Sequence, residues 1–169
     1  MKQEEFENLY QAYLTPVYRY CYLRLGSKEA AEDVAQTVFE KAWTAKESYQ
    51  DQGKTPLTYL FTIARNTIID RLRRIEAIPI DPHTPAFLAI EDDNHDPRSP
   101  SHQREVAESV YQALGKLPEE PREVLMLRYI AELPYEDISL LLGKTQEAIR
   151  QFVSRGLKEL RGNATNNHE

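Results

Sequence analysis

The sequence lacks the features of disulfide-bonded, secreted and membrane-spanning proteins. Cys21 is the single cysteine among 169 residues, so an internal disulfide is impossible. No apolar run approaches the roughly 18 residues of a membrane helix. The first residues also lack the apolar stretch of a signal peptide. These absences predict a cytoplasmic protein with no membrane partner.

The residue patterns of common enzymes are missing as well. The chain has no phosphate-binding glycine loop, no nucleophile placed beside a base and no metal-ligand cluster. His83, His95 and His102 lie among carboxylates, but their spacing matches no metal site. The sequence therefore predicts a protein that is not an enzyme, needs no metal or other cofactor and takes no small-molecule substrate.

Strand-like alternation of apolar and polar residues does not occur over any useful length. Apolar residues instead recur three and four positions apart over residues 4–25, 27–47 and 57–75, and again over 106–117 and 121–130. Pro16 is expected to kink or divide the first of these helices. The predicted fold class is all-α.

Acidic charge and proline are concentrated in the middle of the chain. The net charge is −6, and residues 76–109 hold two cations against eight carboxylates. Residues 76–102 also contain five of the ten prolines, a composition typical of a linker. An apolar island at 86–90 within it can dock on a domain or a partner. We therefore predict a domain over 1–75, a flexible linker over 76–102, a second domain over 103–162 and a disordered tail over 163–169.

Residues 131–161 have the pattern of a helix-turn-helix. Pro134 presets the first helical turn, and Gly143 ends that helix because glycine accepts a left-handed backbone. Thr145 can cap the second helix. In that helix Ile149 and Val153 lie on one face, which continues through Gly156 and Leu160. The other face then offers hydrogen-bond donors to base edges and phosphates, although a plain helical hairpin with a solvated polar face gives the same pattern.

The chain resembles bacterial RNA polymerase sigma factors of the extracytoplasmic-function (ECF) group in three segments, residues 31–43, 57–74 and 114–125. The segments also occur in the family's order. The resemblance covers residues 5–75 and 108–161. It implies two helical domains, called sigma-two and sigma-four, that bind core RNA polymerase and promoter DNA and assist strand opening. Anti-sigma proteins restrain many members of the group, but nothing in this sequence identifies one.

The resemblance implies that the helix containing residues 31–43 docks on polymerase. The alternative is that its apolar residues, Trp43 above all, only pack in the core of the domain. The predicted docking residues are Asp33, Val34, Gln36, Thr37, Phe39, Glu40 and Trp43.

Two further sets are predicted to contact promoter DNA. For the minus-ten element, a base pocket and a phosphate-binding group are formed by Gln52, Lys54, Thr55, Tyr59, Arg65, Asn66, Arg71, Arg73 and Arg74. Asn66 can instead cap or brace its helix. For the minus-thirty-five element, the predicted readers are Thr145, Gln146, Glu147, Arg150, Gln151, Ser154 and Arg155.

Four positions depart from the family pattern. Tyr59 stands where Trp is usual and Ser139 where Ala is common, which are changes of packing. Phe152 replaces a frequent Arg, so a phosphate-binding cation becomes a ring that can touch a thymine methyl group or a neighbouring helix. Gly156 replaces a frequent Ala and weakens its helix by about 1 kcal/mol.

A conventional helix-turn-helix regulator with a helical sensing or dimerising domain in front is the competing interpretation. Such a regulator usually binds a two-fold symmetric operator as a dimer and needs no polymerase. Tight binding of the free protein to duplex DNA would favour it over a sigma factor.

Overall fold

The computed structural model describes residues 2–46, 55–76 and 109–166. These residues form helices joined by short turns, and no strand occurs among them. The chain divides into two compact units, residues 1–94 and 95–169. The predicted all-α fold is confirmed. In the described part of the chain, no helix is both long enough and apolar enough to cross a membrane.

The first unit contains three described helices: α1 (Gln3–Leu25), α2 (Lys28–Thr44) and α3 (Pro56–Glu76). Gly26 ends α1 with a left-handed backbone (φ 69°), and its N–H donates to the carbonyl of Tyr22 at 2.7 Å. Ser27 begins α2, because its hydroxyl accepts the N–H of Ala30 at 3.2 Å. Pro16 lies inside α1 and does not divide it.

All three helices contribute to the core of this unit. Val17, Tyr20 and Cys21 of α1 are fully buried, as the helical periodicity predicts. Tyr20 meets Phe61 of α3 edge to face, with ring centroids 5.3 Å apart. Burial raises the pKa of the Cys21 thiol to about 12. The thiol is therefore a packing group and is not ionised near neutral pH.

The second unit contains helix α4, described over residues 109–115, and then α5 (Glu119–Leu125), α6 (Tyr135–Leu142) and α7 (Gln146–Asn166). One continuous α-helix over 121–130 was the expectation, but Met126–Ile130 is a π-helical turn. Its wider spacing appears in the bond from the N–H of Ala131 to the carbonyl of Met126 at 3.0 Å. Glu132 then takes a left-handed conformation (φ 57°) and turns the chain into α6.

The two glycines of α7 have different surroundings. A methyl group added at Gly156 would lie 2.7 Å from Cδ1 of Leu125, so this glycine allows α7 to approach α5 closely. Nothing lies within 4 Å of the equivalent position at Gly162. Helix α7 continues past Gly162 to Asn166, so it extends into the residues that the sequence analysis assigns to the tail. Gly162 does not have the left-handed backbone of a helix cap, so the helix continues through it.

Candidate nucleic-acid interface and docking surface

The polar face of α7 is exposed, and its opposite face is buried. Ile149, Val153 and Gly156 are buried against the rest of the unit. The predicted minus-thirty-five readers are all exposed: Thr145, Gln146, Glu147, Arg150, Gln151, Ser154 and Arg155. Such a division between faces allows the helix to be held by its core while its polar side chains meet a ligand.

The turn before α7 is fixed by hydrogen bonds at both of its ends. Gly143 ends α6 in a left-handed conformation (φ 65°). The N–H of Lys144 donates to the carbonyl of Ser139 at 3.2 Å, and the Ser139 hydroxyl donates to the carbonyl of Lys144. Thr145 caps α7 as predicted, because its Oγ1 accepts the N–H of Ala148 at 3.1 Å. Ser139 thus braces this turn through its hydroxyl, which an alanine lacks.

One reader, Arg150, lies beside an aromatic ring from another helix. The guanidinium carbon of Arg150 is 5.3 Å from the centroid of the Tyr135 ring, and that of Arg128 is 4.7 Å from the same centroid. Arg128 Nη1 also donates to the carbonyl of Leu133 at 3.0 Å, and Arg150 Nη2 donates to Gln146 Oε1 at 3.5 Å. Sequence reasoning missed Arg128 and Tyr135, because helical periodicity describes one helix and these residues come from separate elements.

Phe152 is half-buried and lies under a cation from the turn. Lys144 Nζ is 5.6 Å from the centroid of the Phe152 ring and 3.0 Å from Glu120 Oε1. Phe152 therefore links α7 to the turn before it. This contact is with a turn residue, so the two expectations for the ring, a thymine methyl group and a neighbouring helix, both stay predictions.

On α2, the predicted docking residues separate into an exposed stripe and a buried one. Asp33, Gln36 and Glu40 are exposed, while Val34 and Phe39 are only 2% and 4% exposed. Gln36 Nε2 donates to Glu40 Oε1 at 2.8 Å. Val34 and Phe39 therefore lie in the core, as the alternative interpretation has it.

Thr37 and Trp43 lie at the margins of the exposed stripe of α2. Thr37 is half-buried, and its hydroxyl donates to the backbone carbonyl of Asp33 at 3.0 Å. Trp43 is also half-buried; its ring lies 4.8 Å from that of Phe6 and 3.1 Å below Lys46 Nζ. Trp43 is thus mainly a packing residue between α1 and α2.

On α3, the predicted minus-ten residues do not all share one face. Asn66, Arg73 and Arg74 are exposed, and Asn66 lies in mid-helix, which excludes a capping role. Arg65 and Arg71 are half-buried. Arg71 is turned by about 140° from Asn66 around the helix axis. Arg71 is, however, only about 60° from Arg74 around the same axis, so the predicted residues spread around α3 and the three exposed ones do not form a separate group.

Arg71 connects α3 to the docking stripe of α2. Its Nη1 lies 2.7 Å from Asp33 Oδ2, and the two side chains are 37% and 65% exposed. Lys41 Nζ donates to Thr67 Oγ1 at 3.3 Å beside this pair. One predicted docking residue and one predicted DNA-binding residue are therefore partners in the described structure.

The start of α3 holds the remaining described minus-ten residues. Thr55 Oγ1 accepts the N–H of Thr58 at 3.2 Å and therefore caps the helix. Tyr59 is half-buried, and this burial raises the pKa of its hydroxyl. Gln52 and Lys54 lie outside the described residues, as do the apolar island at 86–90 and the three histidines His83, His95 and His102. Within the described ranges, no group of His, Cys, Asp and Glu is placed to hold a metal ion.

Comparison with known families finds two matches along the chain. Residues 9–77 match the model of Sigma-70 region 2, and residues 107–160 match that of Sigma-70 region 4. The first match begins within α1 and extends through α3, and the second ends within α7. Each match therefore falls within one of the two compact units.

Curated relatives match over most of the chain. ECF RNA polymerase sigma factor SigM of Bacillus subtilis is 29% identical over 161 residues, 92% of this chain and 92% of the relative. SigW of the same organism, also an ECF sigma factor, is 30% identical over 94% of this chain and 88% of the relative. ECF sigma factor SigD of Mycobacterium tuberculosis is 32% identical over 86% and 70%.

Solved structures show the same fold. CnrH, in complex with the cytosolic domain of CnrY, aligns over 98% of this chain and 90% of that chain, with a TM-score of 0.73 and 20% identity. The sigma factor RpoE of Bartonella quintana, in complex with the anti-sigma factor NepR, aligns over 94% and 96%, with a TM-score of 0.70 and 22% identity.

Proposed function

This chain belongs to the ECF RNA polymerase sigma factors, and on that basis we propose which of its surfaces perform each step of transcription initiation. A sigma factor is a transcription initiation factor that brings core RNA polymerase to promoter DNA. It makes no covalent change, so its free energy of binding goes into recognition and into strand opening. The observation that carries the proposal is the exposed polar face of α7 over a buried apolar face.

We propose that α7 reads the minus-thirty-five element in the major groove. Arg150, Gln151 and Arg155 offer the donors that base edges and phosphates accept, on one exposed surface. Thr145 acts mainly as the N-terminal cap of α7, at the end of the helix that faces the DNA. A lost base contact costs about 1–3 kcal/mol at one position, whereas a lost phosphate contact weakens binding to all sequences alike.

The exposed face of α3 and the segment before it are proposed to hold the minus-ten strand. Asn66, Arg73 and Arg74 can bind phosphates of separated DNA, and Tyr59 offers a ring for stacking. Gln52 and Lys54 are proposed to complete the base pocket. Opening ten base-pair steps costs on the order of 14 kcal/mol, so the polymerase must share this work with the small sigma-two domain.

The exposed stripe of α2 is the proposed docking surface for core polymerase. Asp33, Gln36, Thr37 and Glu40 are its contact residues, whereas Val34 and Phe39 support it from the core. This surface and the DNA-binding face lie on neighbouring helices of one unit. Docking on polymerase would therefore present α3 directly to the promoter.

We further propose the domain limits and the setting in which the protein works. The sigma-two domain takes residues 1–75, an acidic linker 76–102 and the sigma-four domain 103–162. The acidity of the linker keeps it away from DNA. The protein acts in the cytoplasm with its polymerase. Because one solved neighbour is bound to an anti-sigma factor, we propose that an anti-sigma protein also restrains this chain.

Transcription in vitro with purified core polymerase on a random promoter library tests the proposal. We expect initiation at a two-part promoter only when the full chain is added, and weak binding of the free chain to duplex DNA. Unchanged initiation in its presence would contradict the proposal. Tight binding of the free chain to a symmetric duplex site would favour a conventional regulator instead.

Variants assign the individual surfaces. Replacing Asp33 and Gln36 by Ala should reduce capture of core polymerase, while the exposed Glu32→Ala on the flank of the same helix serves as a matched control. Substitution of residues 52–55 should alter the minus-ten preference, and Arg150→Ala should relax one upstream position. A promoter profile that ignores either change removes the corresponding surface from the proposal.

A further inference from the structure

Among the contacts between described residues, Arg150 is the predicted upstream reader whose side chain is held by a residue from another helix. Its guanidinium carbon lies 5.3 Å from the ring centroid of Tyr135, the first residue of α6. The same side chain also donates from Nη2 to Gln146 Oε1 at 3.5 Å. Arg150 is exposed, so these contacts restrict a side chain that solvent would otherwise leave free to change rotamer.

The ring that holds Arg150 is itself fixed in place. Arg128 lies closer to the Tyr135 ring, at 4.7 Å, and its Nη1 donates to the carbonyl of Leu133 at 3.0 Å. Leu133 is fully buried, and both Arg128 and Tyr135 are half-buried. The series therefore runs from a buried turn, through Arg128 and Tyr135, to an exposed guanidinium on the DNA-facing helix.

The physical effect of such a series is pre-organisation. A bidentate contact between arginine and guanine requires the guanidinium plane in one orientation. A side chain that already occupies this orientation loses less conformational freedom on binding. A ring face attracts a guanidinium group without consuming the hydrogen-bond donors that the base needs.

We propose that Tyr135 is a positioning residue that sets the base preference at the promoter position read by Arg150, with Arg128 holding the ring. This inference rests on the proposed role of α7 in reading the minus-thirty-five element. It extends that role to residues of two other elements, none of which needs to touch a base.

The test measures initiation by core polymerase with the full chain on a library in which the upstream element is varied. Tyr135→Leu should reduce discrimination at the Arg150 position by about two- to fivefold, at that position alone. Tyr135→Phe keeps the ring and should retain the normal preference. Tyr129→Leu, which removes a ring that is 53% exposed, is the matched control and should change nothing.

A double variant separates positioning from a general effect on structure. In the Arg150→Ala background, Tyr135→Leu should cause no further change at that position, because the group it orients is already absent. Thermal unfolding of the free chain is measured first. If Tyr135→Leu unfolds at a lower temperature than the wild-type chain, the experiment uses Tyr135→Met instead. Met retains most of the side-chain volume and lacks the ring.

The outcomes distinguish the inference from the function on which it rests. If Arg150→Ala leaves every position unchanged, the assignment of Arg150 as a reader fails, and the inference fails with it. If Arg150→Ala relaxes one position but ring removal does not, only the positioning role is overturned. The positioning role is also overturned if a folded variant without the ring lowers initiation equally at all promoters. It is likewise overturned if Tyr135→Phe loses as much discrimination at the Arg150 position as Tyr135→Leu.

Discussion

The two units differ in how their predicted functional side chains are held. In the first unit, Asp33 of the proposed docking stripe forms an ion pair at 2.7 Å with Arg71 of α3, the helix proposed to bind the minus-ten element. In the second, the readers stand on α7, and the contact that reaches beyond this helix joins Arg150 to the ring of Tyr135. The ion pair of the first unit therefore links two proposed surfaces to each other. In the second unit, a residue of a neighbouring helix positions one side chain of a single proposed surface.

This difference predicts how each unit responds to change. A substitution on α2 can alter α3 through the Asp33–Arg71 pair, so docking and minus-ten binding are expected to be coupled. A substitution that disturbs the buried side of α7 should instead affect upstream recognition and leave the first unit intact. The predictions below test the two halves of this comparison.

The largest effect is expected where α7 packs against α5. Gly156→Val would place side-chain carbon in the space of Leu125, which is only 3% exposed, where one added carbon already lies 2.7 Å from Cδ1. Overpacking of this kind costs about 1–3 kcal/mol, so we expect the second unit to lose about 3 kcal/mol and upstream recognition to fail. Hydrogen exchange of the α5 and α7 amides measures this loss separately from the first unit.

Gly162→Ala is the matched control on the same helix. Its surroundings are empty and its backbone is helical, so replacement should stabilise α7 by about 0.5–1 kcal/mol. Equal exchange rates in the Gly156→Val and normal chains would show that the close approach does not hold α7 in place. The packing of α7 against α5 would then not explain how the second unit holds its proposed reading surface.

Gly156 also shows what the sequence can and cannot predict. Periodicity correctly placed it on the buried face of α7, and the cap at Thr145 was predicted as well. Each of these is a local signal carried by one helix. The reason for glycine at 156 is contact with Leu125 of another helix, which no local pattern records. Helix propensity alone made Gly156 look destabilising.

The site was predictable to the same extent. Helical spacing correctly predicted which polar residues of α7 are exposed. The α2 residues came from the family resemblance, and Val34 and Phe39 among them are buried. Helical spacing did not predict the Asp33–Arg71 pair, the position of Tyr135 beside Arg150, or Lys144 over Phe152. Each of these joins residues from separate elements, so their contact depends on tertiary packing. The π-helical turn at Met126–Ile130 was missed for a related reason, because its apolar spacing resembles that of an α-helix.

A medium effect is expected at two threonine caps, one in each unit. Thr55 and Thr145 each accept the N–H of the residue three positions later, at 3.2 and 3.1 Å. Thr→Ala at either cap should lower the stability of its helix by about 1 kcal/mol, measured by amide exchange in the first turn. Thr→Ser keeps the cap oxygen and should preserve both stability and promoter preference. A changed base preference in Thr145→Ser would instead show that its methyl group touches DNA.

The smallest change in stability, and the sharpest test of coupling, is expected at the Asp33–Arg71 pair. Both side chains are substantially exposed, so the pair should contribute under about 1 kcal/mol to folding. A double-mutant cycle with Asp33→Ala and Arg71→Ala measures this value. It should shrink at about 1 M salt, where the screening length is about 3 Å.

The same two variants should differ clearly in function. Asp33→Ala removes both a proposed docking carboxylate and the partner of Arg71, so it should weaken capture of core polymerase and also slow promoter opening. Arg71→Ala should slow opening and lower capture less, because the carboxylate remains on α2. If both variants lose capture equally, Asp33 acts only by fixing Arg71, and the stripe of α2 and the face of α3 are one surface. If Asp33→Ala retains capture while opening becomes slower, the carboxylate serves α3 alone, and docking depends on Gln36, Thr37 and Glu40.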